Sequence, residues 1–564
     1  MPKGALGLAR VSRDPRTWIA AGFFAALAVG SNWGLPGSDS WAADSISPRS
    51  CGLGAIVETY WPGHFHTYPP LHMMFLSLLS LPWMALAASR VGMSTTALGA
   101  ELIKPFYMTA IEVSARLVAA AMAGCTLWNF GRLWSRVAGA RAGVLAALLL
   151  ASNAVFVYYA HTGNLDVPYL FWISWALLEM DRVVCGEPRE GRVLLFSAAA
   201  VLTKDQAAAA LLLPLPISLL ILPWTRKRTP PWRRNLIGGA LIAAGTYALA
   251  SGALVNPEGF RLRVAFLLGP ASQSWAGYPR GIGGSIALIR DAVLAIPHVT
   301  SWPVAVASAA GILLVIAARS GTGGIDRGRA SLPLCAAVSF TLFFSLSARR
   351  SEDRFLLPQS LFLLPYAALA FDRAWMSFPA WRILLGAIGV VSLIPAWMGV
   401  VSMDASLLCD PRYEAERFLK ALPARTRVEV YGGPIFLPRV PSDLVAVRPG
   451  VEPIADRQAI AGVSDLVDPA MDPRARRPDV IVLATELSHV EATLAPGSSR
   501  RFSLAQYGDA TSHALFRGLL DGSLGYSRAL TAECRLPWPL ECRRIHGSTA
   551  GSVWIYAHAP PSGG

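Results

Sequence analysis

The stretch VLLFSAAAVLTKDQAAAALLLPLPISLLILPW, residues 193–224, carries charge only at Lys204 and Asp205. Arginines bracket it, with Arg182, Arg189 and Arg192 before it and the basic run from Arg226 to Arg234 after it. A run this apolar belongs in a bilayer core, which is about 30 Å thick. Short loops rich in Lys and Arg mark the cytoplasmic side of membrane proteins. With basic loops at both ends, the stretch reads as two short helices joined by a polar turn, Lys204-Asp205-Gln206. That turn has to reach the outer half of the membrane or a cavity there, because free backbone groups and charges facing lipid are costly.

The rest of the chain extends this reading. Of 564 residues, 53% are hydrophobic and only 15% charged, against about 25% charged in ordinary soluble domains. Apolar segments recur at roughly 17–30, 114–131, 139–158, 166–182, 193–203, 207–223, 236–254, 302–318, 331–347, 355–371 and 383–401, or about eleven transmembrane helices. If these are successive crossings, the basic loops at Arg132/Arg136/Arg141, Arg182/Arg189/Arg192, Arg226–Arg234, Arg319–Arg329 and Arg373/Arg382 all fall on the cytoplasmic side. Lys3, Arg10, Arg13 and Arg16 precede the first apolar stretch with no A-x-A-like site after it, so it reads as a first helix with a cytoplasmic N-terminus rather than a signal peptide. The outer side then holds HTGNLDVP (161–168), the loop 256–285, RRSEDRF (349–355) and everything after Asp404. Residues 70–89 are long enough to cross, but a crossing there would flip every later basic loop outward, so they are expected to lie along or re-enter the outer interface. The net charge of +14 resides in these short loops, with no long basic run interleaved with aromatics, which argues against nucleic acid.

After Asp404 the long apolar runs stop. RVEVYGG (427–433), PDVIVLA (478–484) and SVWIYAHA (552–559) read as strands and 410–422 as a helix. The expected architecture is an α-helical polytopic membrane protein with a small C-terminal α/β extracytoplasmic domain. Residues 1–403 form the membrane part, with an outer loop at 32–113, and 404–564 form the soluble part. Of the seven cysteines, Cys534 and Cys542 share the stretch CRLPWPLEC, a candidate disulfide on the outer side, and no zinc-type spacing is present.

Chemistry-bearing residues are few in a chain this poor in charge. The first outer loop begins NWGLPGSDSWAADSISPR, with Asp39 and Asp44, and ends WPGHFHTYPPL, with His64, His66 and Tyr68. Asp166 closes the second outer loop. Helix capping is the plain account of Asp39 and Asp166. Two outer loops each presenting Asp near the membrane surface also suit acid–base work. Lysine occurs at only five positions, and Lys204 is the one inside an apolar stretch. Pairing with Asp205, or snorkelling, competes there with a role as a phosphate ligand. At RRSEDRFLLP, Arg350 and Arg354 read either as headgroup anchors or as donor-phosphate contacts, with Arg261, Arg263 and Arg280 weaker candidates. His64-x-His66 reads first as loop packing and only then as a metal pair with Asp39 or Asp44.

In order and sidedness these landmarks resemble the C-type (GT-C fold) glycosyltransferases of the family 39 kind, which includes protein O-mannosyltransferases and the lipid A aminoarabinose transferase. The matching elements are GSDSWAAD after the first helix, then YPPLHMMFLSLL, ARLVAAAMAG, FGRLW, YAHTGNLDVPYLFW, AAAVLTKDQAAAALLLP and EDRFLLPQ, over roughly residues 15–400. The resemblance implies transfer of a sugar from a polyprenyl-phosphate-sugar donor to a protein, lipid or glycan acceptor on the outer face, with inversion. It makes Asp39 the catalytic carboxylate, but the family's usual Asp-Glu pair is here Asp39-Ser40, which leaves Asp44 as rival or helper. Asp166 takes the place of the second loop carboxylate, and Lys204 and Arg354 those of phosphate contacts. No metal ligand is assigned, and a divalent metal requirement stays open. Scarce lysine beside abundant arginine is the composition of a GC-rich bacterial genome, so the expected location is a bacterial inner (plasma) membrane. The rival class is a transporter or flippase of a lipid-linked or anionic substrate. Such proteins usually carry internal repeats and midplane charges, and neither is found here.

Overall fold

A computed structural model describes residues 14–36, 41–42, 45, 52–221, 232–273, 276–318, 326–433, 435–450, 453–454, 460–485, 509–543, 545 and 552–558. The chain divides into two compact units, one of residues 1–32 with 44–401 and the other of 33–43 with 402–564.

The first unit is helical, and every segment expected to cross contains helix among its described residues, with breaks at 152–153 and 212–213 and turns at 251–254. Five described helices are long and apolar enough to span: Leu71–Val91, Pro105–Ala138, Arg327–Ala348, Asp353–Ser377 and Pro379–Lys420. A sixth is counted if the bent pair Ala140–Ala151 and Ala154–His161 is one span. The number falls short of eleven because several segments are interrupted, short or charged at their ends. The bent pair turns by 67° where Asn153 accepts a hydrogen bond from the Phe156 amide at 3.0 Å, starting a new helix. Trp302–Ala317 has only 16 residues. Asp166–Val184 has 19 residues but carries Asp166, Glu179, Asp181 and Arg182. The stretch around Lys204 is broken as its composition demands. Glu190–Thr203 stops at Lys204, whose backbone is extended (φ −154°, ψ 125°), and the helix resumes at Gln206. Residues 70–89, expected at the interface, form one helix, Leu71–Val91, whose 21 residues permit a crossing by length.

The helix Asp166–Val184 fixes which charges share an end of the bundle. At about 1.5 Å per residue it is some 28 Å long, close to a bilayer core. Near its C-terminal end, Asp181 is buried and pairs with Arg136 (2.5 Å) and Arg329 (2.6 Å). Arg182 pairs with Glu179 at 2.8 Å nearby. Arginines from three of the basic loops thus gather at one end, and Asp166 stands at the other.

The second unit is built on a six-stranded sheet with strands β1 Arg427–Tyr431, β2 Val445–Gly450, β3 Val463–Val467, β4 Val480–Thr485, β5 Tyr526–Glu533 and β6 Ser552–His558. Their order is β3-β2-β1-β4-β6-β5. The first four are parallel, with Val428 opposite Ala446 and Val480, and β6 runs antiparallel to both β4 and β5. Central strands of such a sheet are buried on both faces, which alternation alone delivers here. Val428, Val430, Val480 and Val482 pack with Ala415 and Leu419 of the helix Pro411–Lys420. Tyr431, Ile481 and Leu483 pack with Leu515, Phe516 and Leu519 of the helix Asp509–Leu520. Residues 33–36 and 41–42, next to the first helix in sequence, join this unit. Trp33 Nε1 donates to Asp410 (3.0 Å), the Gly34 amide to the Tyr413 hydroxyl (3.0 Å), and Arg412 lies 4.1 Å over the Trp41 ring. The Cys534–Cys542 disulfide is formed.

Candidate active site

Lys204 stands at the break between the helices Glu190–Thr203 and Gln206–Leu211. The Lys204 Nζ lies 2.7 Å from Asp166 Oδ1, with the two residues 5% and 1% exposed. The ammonium also stands 5.7 Å from the centre of the Tyr169 ring, one turn further along the same helix. Asp166 does not cap that helix. It sits in its first turn, where the Asn164 side chain accepts from the Asp166 amide at 2.9 Å. The neighbour Asp205 pairs instead with Arg263. Lys204 and Asp205 are adjacent in sequence but bind partners on different elements.

Arg263 extends the cluster to the first outer loop. It is buried on the helix Pro257–Leu268 and its Nε donates to the Thr67 carbonyl at 3.5 Å. Thr67 lies between His66 and Tyr68, and both of those line a small cavity with Arg263. His66 is buried and its Nδ1 lies 2.9 Å from Glu58 Oε2. The His64 side chain is exposed. Asn256 holds this loop in place by donating to the carbonyls of Thr59, Trp61 and His64 at 3.2, 2.7 and 2.8 Å. Among the described residues there is no group of three His, Cys, Asp or Glu side chains placed to hold a metal ion.

Arg354 occupies the first turn of the helix Asp353–Leu363, 4.7 Å over the Phe355 ring. Its charge and that of Asp166 both act on the Tyr169 hydroxyl, so Asp166, Lys204, Tyr169 and Arg354 form one neighbourhood. Arg350 pairs with Glu352 at 2.7 Å and also lies 4.5 Å from the centre of the Phe355 ring. Arg349 is held in the left-handed region (φ 56°), which a non-glycine residue adopts only where the surroundings impose it. Its guanidinium donates to Tyr278 O and Gln273 Oε1, both at 3.0 Å, tying the 273–280 segment to RRSEDRF. Arg261 and Arg280 are exposed. Beside RRSEDRF lies an apolar cavity of about 450 Å³, walled by Leu288, Ile312, Leu356 and Leu363 and touched by Arg350 and Gln359.

Asp39 and Asp44 lie outside the described residues. The ends of their loop do not. Arg116 Nη1 donates to the Ser31 carbonyl at 3.0 Å, Ser45 Oγ donates to Glu112 Oε1 at 2.7 Å, and Arg116 and Glu112 pair with each other at 3.0 Å. A β-carbon on Gly163, in the second outer loop, would stand 3.4 Å from that same Glu112 oxygen. The buried Glu112–Arg116 pair thus brings the first and second outer loops together. Glu112 escaped the sequence reading, although Glu and Arg four apart in an apolar helix carried the signal: two costly charges at pairing distance.

No family model matches the chain, and no curated protein does. Among solved structures the chain is similar to ArnT from Cupriavidus metallidurans bound to undecaprenyl phosphate. The identity is 15%, over 86% of this chain and 94% of that one, with a TM-score of 0.46. The apo state of the same protein gives 15% identity, 88% and 96% coverage and a TM-score of 0.45. The Archaeoglobus fulgidus oligosaccharyltransferase in complex with Zn and sulfate gives 12% identity, 84% and 70% coverage and a TM-score of 0.42.

Proposed function

We propose that this chain is a membrane glycosyltransferase that moves a sugar from a polyprenyl-phosphate carrier to an acceptor hydroxyl at the outer face of a bacterial inner membrane, with inversion. The observation that carries the reading is the gathering of Asp166, Lys204, Arg354, Asp205 and Arg263 from distant parts of the chain, at the end of the bundle opposite the Arg136–Asp181–Arg329 cluster. A lipid-linked donor enters from the bilayer, and its phosphate rests near the headgroup plane. Lys204, Arg354 and Arg263 supply positive charge there, and the neighbouring apolar cavity suits part of an isoprenoid chain.

The chemistry follows from that placement. As the bond between the anomeric carbon and the phosphate oxygen breaks, its electron pair goes to the phosphate, and nearby cations stabilise the charge that develops. The acceptor oxygen attacks the opposite face of the sugar, and a carboxylate takes its proton as general base. Asp39 and Asp44 are the candidates for that base. Asp166 holds Lys204, so an incoming phosphate competes with a carboxylate already in place. The C-terminal unit carries a disulfide, which accords with an oxidising, extracytoplasmic compartment.

The test is to incubate membranes containing the full chain with labelled polyprenyl-phosphate sugars and look for labelled acceptor. Asp39→Asn and Asp44→Asn follow, with protein level monitored. Loss of product in one of them identifies the base, and full activity in both ends that assignment. Labelled lipid crossing the membrane of sealed vesicles, with no sugar transferred, supports a flippase in its place.

A further inference from the structure

We infer that the disulfide-closed loop Cys534–Cys542 is a membrane-interface anchor whose Trp538 inserts into the headgroup region of the outer leaflet. The loop follows β5 and reads CRLPWPLEC, and Trp538 at its tip is 93% exposed, more than any other large apolar side chain described. Leu536 and Leu540 flank it, and a turn closed from the Leu540 amide to the Pro537 carbonyl (2.9 Å) presents the ring outward. The ring projects from a covalently closed loop, with the partly buried Leu536 and Leu540 beside it. It suits the lipid interface, where an apolar ring with one N–H sits at headgroup level.

What the loop rests on identifies the partner. The Glu541 amide donates to Ser402 Oγ at 3.2 Å and the Arg543 amide to Ser406 Oγ at 2.9 Å. Both serines belong to the helix Arg382–Leu408, where the Ser406 hydroxyl in turn donates to the Ser402 carbonyl at 2.6 Å. That helix lies within a candidate membrane span, and before Ser402 it exposes Ile383, Val390, Val391, Ile394 and Val401. A hydrocarbon core of about 30 Å takes about 20 residues at 1.5 Å each. Counted from Arg382, twenty residues end at Val401. Ser402 and Ser406 therefore stand where the helix leaves the hydrocarbon, and the loop they hold lies at headgroup depth. Arg535, exposed beside the tip, adds a cation at the level of lipid phosphates. The occupant this arrangement fits is the bilayer surface, and the reading holds whatever reaction the protein catalyses.

The full chain, with Cys51, Cys125, Cys185, Cys335 and Cys409 changed to Ser and Trp538→Cys labelled with the fluorophore NBD, tests it. Intact mass confirms that Cys534 and Cys542 remain joined. The protein is reconstituted into vesicles of phosphatidylethanolamine and phosphatidylglycerol. The expected result is a blue-shifted emission, loss of access to aqueous iodide, and stronger quenching by nitroxide at the headgroup than by nitroxide at the acyl terminus. Water-like emission with undiminished iodide access overturns the inference. Shielding that persists in detergent and grows with protein concentration also overturns it, because a second copy of the chain would then be the cover.

Discussion

Replacing Lys204 with Met keeps the length and apolar bulk of the side chain and removes only its charge. Asp166 then holds a carboxylate that is 1% exposed and has lost the ammonium 2.7 Å away. Removing one partner of a buried ion pair typically costs about 3–5 kcal/mol, because the remaining charge stays desolvated. The reciprocal change, Asp166→Leu, strands the Lys204 ammonium in the same way and is expected to cost a similar amount. The double variant Lys204→Met with Asp166→Leu leaves no charge behind, and such apolar replacements are often neutral or stabilising. A double-mutant cycle on the full chain in detergent, followed by thermal melting, reads the difference as a coupling of a few kcal/mol. Melting midpoints should fall markedly for Lys204→Met and recover in the double variant. A single variant as stable as the parent, or a double variant no better than the single, refutes the pairing. The double variant should remain inactive in the sugar-transfer assay, which separates the pair's support of the fold from its charge chemistry.

Three further expectations follow. A β-carbon at Gly311 would overlap the Tyr366 carbonyl of the neighbouring helix, so Gly311→Ala should lower the melting midpoint of the full chain, whereas Gly281→Ala, which meets nothing within 4 Å but sits at φ +100°, should act only through its own backbone strain. Arg476 pairs with buried Glu429 and with Asp468, and its Nη2 donates to the Tyr431 hydroxyl at 3.1 Å; Arg476→Met should cost about 3–5 kcal/mol and expose sites on β1 and β4 to limited proteolysis. Burial and the charges of Glu429 and Asp479 push the Tyr526 phenol up to about 12, so its contribution to stability is whole below the ordinary value near pH 10 and is lost as pH rises through 12. In a spectrophotometric titration of phenolate, the parent curve minus that of Tyr526→Phe should leave one tyrosine titrating near 12, and superimposable curves up to that pH refute the assignment.

The helices were legible because run length and loop charge are local properties. The breaks were legible only where a residue announced them, as Lys204 does inside an apolar stretch. Its partner was not. The sequence neighbour Asp205 was the natural choice, but adjacent residues at a helix break point to different elements, and Asp166 is 38 positions away. Arg263 ranked low as one of several loop arginines, yet it is the buried one, which only packing reveals. In the C-terminal unit, β1, β4 and β6 stood out as apolar runs. In contrast, β3, with Ser464 and Asp465, and β5, with Ser527 and Arg528, are half-polar edges of the sheet whose pairing depends on partners far along the chain. The docking of Trp33 and Trp41 with Arg412 had no signal in spacing, since about 370 residues separate the partners.

The helix that carries Asp166 at one end and Asp181 at the other is a ruler. Fifteen residues of helix separate the two carboxylates by about 22 Å, and each is fastened to cations on other elements, Lys204 at a helix break and Arg136 and Arg329 on helices. Neither cluster can slide along the axis without abandoning an ion pair, so the protein cannot shorten or lengthen to suit its surroundings. Bilayer thickness has to adapt to the protein, by tilt, local thinning or thickening of the lipid, at fractions of a kcal/mol per ångström. The acyl-chain length of the lipid used in reconstitution becomes an experimental variable with the same standing as pH or salt.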